Sequence, residues 1–231
     1  MKMTNLLLLT VALMLAGVTA QAQNTFFPTK AGIVQVYAHK NAKGQVESHT
    51  RQTVKNVEGS GGNMTISYAV EALDKNQKSV SDPPIEMSCT VVVKDYVIFM
   101  DMNQMFLGQL SDMGLKMEVT GVPMELPGNM QPGQTLKDAN MSMSIDMGIM
   151  KMRTDIKMTD GKCLAIEETT VPAGTFTCYK VTQTVTTTVM RRDVVSTTVT
   201  WYVPGVGTIK TESYDNRNRL SGSTELIAMN N

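Results

Sequence analysis

Apolar and polar residues alternate along most of the chain, and the pattern is clearest from residue 140 to residue 159. From residue 140 to residue 149 every second residue is apolar, and from residue 150 the alternation resumes in the opposite phase. A period of two is typical of a half-buried β-strand, whereas a helix would place these apolar residues on opposite sides. The apolar positions are Met141, Met143, Ile145, Met147, Ile149, Met150, Met152, Ile156 and Met158.

The change of phase predicts a β-hairpin with its turn at residues 148–149. Glycine at the first turn position suits a type II′ turn, which needs a positive φ there. The hairpin would pair Ile145 with Met152 on the apolar face and Asp146 with Lys151 on the polar face, where opposite charges attract. A bulge within one long strand would produce the same change of phase, so both interpretations stay open at this point.

Similar alternation recurs between turn signals rich in Gly, Asn, Asp and Pro, and it predicts roughly a dozen strands. Only residues 102–113 show helical spacing, with Asp101 and Gly114 as candidate caps. A sheet of so many strands must curl or close to limit its exposed edges. The predicted fold is therefore mainly β, a strongly curved antiparallel sheet or half-barrel with one short helix.

The first 22 residues have the features of a secretory signal peptide. Lys2 precedes an uncharged apolar run from residue 6 to residue 18, and Ala20-Gln21-Ala22 supplies an A-x-A cleavage site. The run is shorter than the roughly 20 residues of a transmembrane helix. We expect a signal peptide at 1–22, one β domain at 23–231, no membrane span, and a periplasmic or secreted location.

Charge and motif content narrow the function classes. Lys plus Arg total 21 and Asp plus Glu total 21, a balance that argues against an electrostatic nucleic-acid binder. The chain has no G-x-S-x-G elbow, no H-E-x-x-H motif and no phosphate-binding loop. The two histidines, His39 and His49, are interpreted as surface strand residues. We therefore expect a non-enzymatic protein with no catalytic residues, no metal ligands and no cofactor.

Three cysteines, Cys89, Cys163 and Cys178, allow at most one intrachain disulfide. A turn at 172–174 would place Cys163 about five residues from the point opposite Cys178, and at about 3.4 Å per residue that is too far for a bridge. Cys89–Cys178 is then the better candidate pair in an exported protein. Three buried free thiols are the alternative.

Methionine is unusually frequent, with 20 residues against 5 Phe, 6 Tyr and 1 Trp. Fourteen of the 20 lie between residues 87 and 158. Ordinary core packing is the first interpretation, and a deformable pocket for an apolar ligand is the second, because methionine adapts its shape to its partners. A Cu(I) or Ag(I) site is the third, since thioethers are soft ligands. The candidate apolar lining is Met141, Met143, Ile145, Met147, Met150 and Met152.

Three segments carry a resemblance to a known family: LPGNMQPGQTL at 126–136, VPAGTFTCYKV at 171–181 and WYVPGVGTIKTE at 201–212. In this order and spacing they resemble the TapB-type family of exported proteins, a domain of unknown function. The resemblance implies a single exported β domain, similar in outline to half-barrels that carry lipoproteins or lipids. It supplies no catalytic residues.

The leading hypothesis is an exported, non-enzymatic protein that binds an apolar or lipid-like ligand on a Met-lined concave sheet. The alternatives are a Met-based Cu(I) or Ag(I) binding protein and a structural or envelope-assembly component. The sequence predicts no oligomeric state.

Overall fold

The structure is a computed structural model that describes residues 24–82, 86–100, 116–146 and 151–230. The predicted signal peptide, the helix predicted at 102–113, Met147 and Met150 lie outside the described residues. Every regular element in the described ranges is a β-strand. The strands are β1 (Val34–Asn41), β2 (Val46–Ser60), β3 (Asn63–Leu73), β4 (Glu86–Lys94), β5 (Val97–Met100), β6 (Lys116–Val122), β7 (Met124–Pro127), β8 (Ala139–Asp146), β9 (Lys151–Val171), β10 (Gly174–Val189), β11 (Arg192–Val203), β12 (Gly207–Asp215) and β13 (Leu220–Met229).

All described strands belong to one antiparallel sheet in the order β6-β8-β9-β10-β11-β12-β13-β1-β2-β3-β4-β5-β7. The two edge strands, β6 and β7, are neighbours in the chain, separated by Pro123. Because β6 pairs with β8 and β7 pairs with β5, this short stretch brings the two edges together and the curled sheet nearly closes. The prediction of a mainly β, strongly curved antiparallel sheet is confirmed.

The β8–β9 hairpin has the register that the sequence predicted. Asp146 pairs with Lys151 and Ile145 pairs with Met152. The two segments are therefore separate antiparallel strands, and the alternative of a bulge in one long strand is wrong. The local alternation of apolar residues fixes this register because a slip of one residue would turn every side chain to the other face.

One end of the curled sheet is filled by segments outside the strands. Phe26 and Phe27 precede β1, while Met130 and Leu136 lie between β7 and β8. The Phe26 ring meets the Tyr179 ring edge-on, with 4.9 Å between the ring centroids. We call this the closed end, since all buried members of its apolar cluster are 9% exposed or less. The cluster also contains Val54, Met64, Ile66, Tyr68, Val91, Val93, Ile98, Leu126, Cys163, Val181 and Tyr202.

A second apolar cluster packs the tip of the β9–β10 hairpin against β11 to β13. Val171 lies at this tip, and the backbone N–H of Ala173 donates to the carbonyl of Leu226 at 3.3 Å. Trp201 is buried in the cluster and donates from Nε1 to Glu167 at 2.8 Å. The V-P-A-G-T-F segment therefore shapes a turn that anchors one hairpin on the rest of the sheet.

The cysteines do not form the pair that the sequence suggested. Cys163 and Cys178 are both buried free thiols, so the Cys89–Cys178 disulfide is not formed in the structure. The topology explains why: Cys178 belongs to the second cluster, whereas Cys89 lies on β4 opposite Tyr68, a member of the first. The expectation that Cys163 and Cys178 do not bond to each other is confirmed.

His49 is a second correction, because it is 5% exposed and not a surface residue. Its Nδ1 lies 2.9 Å from the carbonyl oxygen of Asp74, which begins the connection after β3. A buried imidazole needs such a partner. The strand pattern alone does not show that this connection folds back over β2. His39 lies opposite Ser48, so the two histidines are out of register, as predicted.

Candidate functional site

The inner face of the curled sheet can be traced from contacts of Gln183 on β10. Its Nε2 donates to the sulfur of Met158 at 3.5 Å and to the sulfur of Met124 at 3.9 Å. Met124 packs against the cluster of the closed end. The face of β9 that carries Met158 is therefore the inside of the curl.

The predicted methionine lining continues along this inner face. Alternation places Ile156 and Met152 with Met158, and on β8 Met141 lies opposite Ile156 while Met143 lies opposite Thr154. Ile145 occupies the position opposite Met152. We call the set Met141, Met143, Met152, Ile156 and Met158 the Met wall.

Within the part of the chain that the structure describes, the Met wall lies outside the two buried apolar clusters. All five of its side chains are half-buried, and none belongs to either buried cluster. This contrasts with the closed end, where the inner face is covered by Phe26, Met130 and Leu136. Half-burial thus distinguishes these methionines from the covered side chains of the closed end. We call this end of the sheet the open end.

The inner surface of β11 to β13 and β1 is polar. The hydroxyls of Thr200 and Thr211 lie 3.3 Å apart, and Thr200 lies opposite Val181, a member of the closed-end cluster. The His39 ring lies 3.0 Å from the hydroxyl of Thr224 and 3.1 Å from that of Thr50. We call these five residues, His39, Thr50, Thr200, Thr211 and Thr224, the polar wall.

The inner face is almost free of charge. The Met wall itself carries no charged residue, and Arg192, which begins β11 and pairs with Val189 on this face, lies at the rim of the open end. Asp215, at the end of β12, is bound by Arg219 at 2.6 Å. Burial, with a smaller contribution from nearby His49, lowers the pKa of His39 and favours its neutral form. The Met wall and the polar wall together therefore form a neutral inner surface, apolar on one side and rich in hydroxyls on the other.

The reverse face of the same strands carries a polar cavity of about 430 Å³. Arg153 donates from Nε to both carboxylate oxygens of Asp155 at 3.0 Å, and hydrogen bonds from Arg153 and Ser142 lower the pKa of Asp155. The arginine charge is thus already compensated. The residues that line this polar cavity are Glu118, Thr120, Ser142, Ser144 and Arg153.

The described residues contain neither a metal cluster nor a membrane-crossing helix. No group of three or more His, Cys, Asp or Glu side chains is placed there to hold a metal ion. Within the same ranges, no helix has the length and apolar character needed to cross a bilayer.

Comparison with known protein families shows which family this chain belongs to. A family model described as DUF3108-like matches residues 30–226. The chain belongs to the DUF3108-like family. Assignment to a domain of unknown function is thereby confirmed, while the narrower TapB-type name stays a prediction. No curated protein matches the DUF3108-like chain significantly.

Two solved structures share the fold of this DUF3108-like protein. A Bacteroides fragilis protein with a YmcC-like fold, thought to be exported, is 18% identical with a TM-score of 0.70, over 90% of this chain and 100% of that one. A Parabacteroides distasonis protein, thought to be a lipoprotein, is 24% identical with a TM-score of 0.72, over 91% of this chain and 100% of that one. At these identities the likeness shows the fold alone.

The sequence indicated that Met141, Met143 and Met152 share a face, but it did not indicate the polar wall. Thr is β-branched and favours strands, so Thr-rich segments such as T-V-T-T-T-V and S-T-T-V-T read as strands without indicating a chemical surface. The alternation of Thr200, Thr198 and Ser196 on one face is the signal that was available.

Proposed function

We propose that this DUF3108-like protein is an exported, non-enzymatic binding protein that holds an apolar, lipid-like ligand against the Met wall. The observation that carries the proposal is the contrast between the two ends of one inner face. Apolar side chains at the closed end are fully covered, whereas the apolar side chains of the Met wall are half-buried. The N-terminal signal-peptide pattern and the two structural neighbours, one thought to be exported and one a lipoprotein, support export.

The chemistry of the wall fits a ligand of variable shape. Methionine has three rotatable side-chain bonds and a polarizable sulfur, so a wall of methionines can adapt to different apolar outlines. Covering the exposed remainder of these side chains stabilises a complex by about 25 cal/mol per Å² of apolar surface buried. Because the Met wall offers no cation, a charged group placed against it would lose its hydration without compensation. The proposed ligand is therefore uncharged where it enters the curl.

The proposal is tested with a neutral fluorescent probe, N-phenyl-1-naphthylamine, titrated into the purified protein. We expect saturable fluorescence enhancement that monoolein displaces and that oleate displaces less well. Native mass spectrometry of the protein after gentle extraction should also show a bound mass. A protein that binds no probe and carries no bound mass would refute the proposal.

Two adjacent positions on β9 form a matched pair of variants. Ile156 is half-buried on the inner face, and Lys157 is exposed on the reverse face. We expect Ile156→Asp to abolish probe binding and Lys157→Asp to leave it unchanged. Fluorescence of the single tryptophan, Trp201, reports whether each variant is folded. If Ile156→Asp binds the probe as the parent does, the Met wall is not the site.

Replacing methionine by leucine separates this proposal from metal binding. Leucine keeps the apolar surface and removes the sulfur ligand. We expect the triple variant Met141→Leu, Met143→Leu and Met152→Leu to retain probe affinity within about threefold, since volume-conserving swaps are well tolerated. Loss of the probe together with loss of Cu(I) uptake would favour the metal-binding alternative instead.

A further inference from the structure

The tip of the β10–β11 hairpin projects beyond its neighbour in the sheet. β11 begins at Arg192, but β12 pairs with β11 only from Ser196 onward. The turn residues Met190 and Arg191 have φ values of 50° and 65°, which is the geometry of a tight type I′ turn. We call residues 189–195 the hairpin tip. On the β12 side, it stands clear of the sheet.

This hairpin tip exposes large apolar side chains. Met190 is 70% exposed and Val194 is 64% exposed, and Val189 and Val195 are also exposed. Val189 pairs with Thr154 of β9, so the tip lies beside the Met wall at the open end. Clustered exposed apolar side chains at the mouth of a cavity indicate an interaction surface.

Other connections at the same end extend this apolar surface. In an antiparallel sheet alternate connections lie at the same end, so the β1–β2, β3–β4 and β12–β13 connections share the open end with the hairpin tip. Each contributes an exposed apolar residue: Val46, Val80 and Leu220 respectively. The exposed apolar residues are thus distributed around the mouth and are not confined to one hairpin.

The same rim is basic on the two neighbouring hairpins. The hairpin tip and the β12–β13 turn together contain four arginines and two aspartates, a net charge of 4 − 2 = +2. Asp193 accepts a hydrogen bond from Thr188, and Asp215 is held by Arg219. Arg191, Arg192 and Arg217 are all exposed.

We propose that the open end docks on an anionic membrane surface, with the hairpin tip seated among the lipid headgroups. Apolar side chains flanked by arginines bind the bilayer interface by burying apolar area and by attraction to anionic lipids. Docking in this orientation would set the mouth of the curl against the membrane. The positive charge of the rim favours an anionic lipid surface as the partner. A second copy of the chain would carry the same arginines, and the two rims would repel each other.

The test is co-sedimentation of the purified protein with vesicles of phosphatidylcholine alone or of phosphatidylcholine and phosphatidylglycerol in equal amounts. We expect binding to the anionic vesicles that weakens with added salt, and little binding to the neutral ones, because surface attraction is screened within a Debye length. The double variant Arg191→Ser and Arg192→Ser should weaken binding by roughly tenfold or more. Met190→Ser and Val194→Ser together should weaken it at any salt concentration.

The control variants replace apolar and basic residues by serine elsewhere on the surface. Leu164 and Ile166 are each 42% exposed on β9, and Ile166 pairs with Tyr179 at the closed end. We expect Leu164→Ser, Ile166→Ser and Lys162→Ser to leave vesicle binding unchanged. All substituted positions are exposed, and Trp201 fluorescence confirms folding.

Three results would overturn the inference. The first is a parent protein that stays in solution with anionic vesicles. The second is a set of controls that lose binding as much as the hairpin-tip variants do. The third is self-association in sedimentation velocity that the hairpin-tip variants abolish, because the tip would then be an interface between copies of the chain. The first and third results leave the probe titration intact, so docking and ligand binding are judged separately.

Discussion

Removing the Phe26 ring tests whether the segment before β1 is an integral part of the core. Phe26 is 1% exposed, and its ring lies 4.9 Å from that of Tyr179 and 6.1 Å from that of Tyr202. The neighbouring backbone is fixed as well, since Gly205 donates its N–H to the carbonyl of Thr25 at 2.7 Å. Phe26→Ala would leave a cavity in the middle of the closed end.

The size of the effect follows from burial. An aromatic side chain buries about 200 Å², and at about 25 cal/mol per Å² its transfer from water is worth about 5 kcal/mol. Phe→Ala substitutions in packed cores cost about 3–5 kcal/mol. Since strands surround the ring and limit collapse, we expect a loss of about 4 kcal/mol in the free energy of unfolding. Phe26→Leu, which keeps most of the volume, should cost about 1–1.5 kcal/mol.

Urea denaturation followed by Trp201 fluorescence measures these free energies of unfolding. Val194→Ala is the control for an exposed apolar position, and its free energy of unfolding is expected within about 0.5 kcal/mol of that of the parent. A shift in the midpoint at constant slope is required, because a changed slope would mean a changed denatured or native state. If Phe26→Ala costs less than about 1 kcal/mol, the segment does not close this end of the sheet.

Three further predictions concern other parts of the chain. The lowered pKa of His39 means that the unfolded state takes up a proton first as pH falls below about 6.5; stability should therefore decrease with falling pH, and His39→Asn should flatten that slope in pH-dependent thermal melts. The hydrogen bond from Trp201 lowers the pKa of Glu167, so Trp201→Phe should raise this pKa toward its ordinary value in an NMR titration; no change would contradict the bond. At Gly121, where φ is +146°, an added Cβ would lie 2.1 Å from a backbone oxygen of β8, so Gly121→Ala should speed amide exchange across β6 and β8. Gly133→Ala shares the cost of a positive φ (+90°) but has open space around its Cβ, so it should not affect those amides.

Much of the sheet could be predicted because its strands are locally encoded. The phase change after residue 149 gave the β8–β9 register, and Pro172-Ala173 forms the turn that the V-P-A-G motif suggested. Period-two patterning and turn residues act over a few positions, so a single sequence contains them. The near-closure of the sheet at β6 and β7 is different, because it depends on pairing of β6 with β8 and of β7 with β5, strands that are distant in sequence.

The candidate site was only partly predictable for the same reason. The sequence indicated that Met141, Met143 and Met152 share a face, and the register confirms it. Burial of His49 depends on Asp74, and separation of Cys178 from β4 depends on the curl of the whole sheet. Neither the burial of His49 nor the position of Cys178 is indicated by a pattern of neighbouring residues in the sequence.

Whether an apolar strand face becomes core or binding surface is decided by what covers it. Along β9 the same alternation runs from Met152 to Met158 and, past the register shift in its pairing with β10, to Cys163, yet Cys163 is covered at the closed end and Met152 remains half-buried. Segments outside the sheet make this difference, since Phe26 and Leu136 reach one end only. A periodic sequence therefore specifies a continuous apolar stripe, while the irregular segments determine how much of that stripe remains available to a ligand. For this protein, the residues that fill the closed end stabilise the fold, and we propose that the methionines they leave half-buried recognise the ligand.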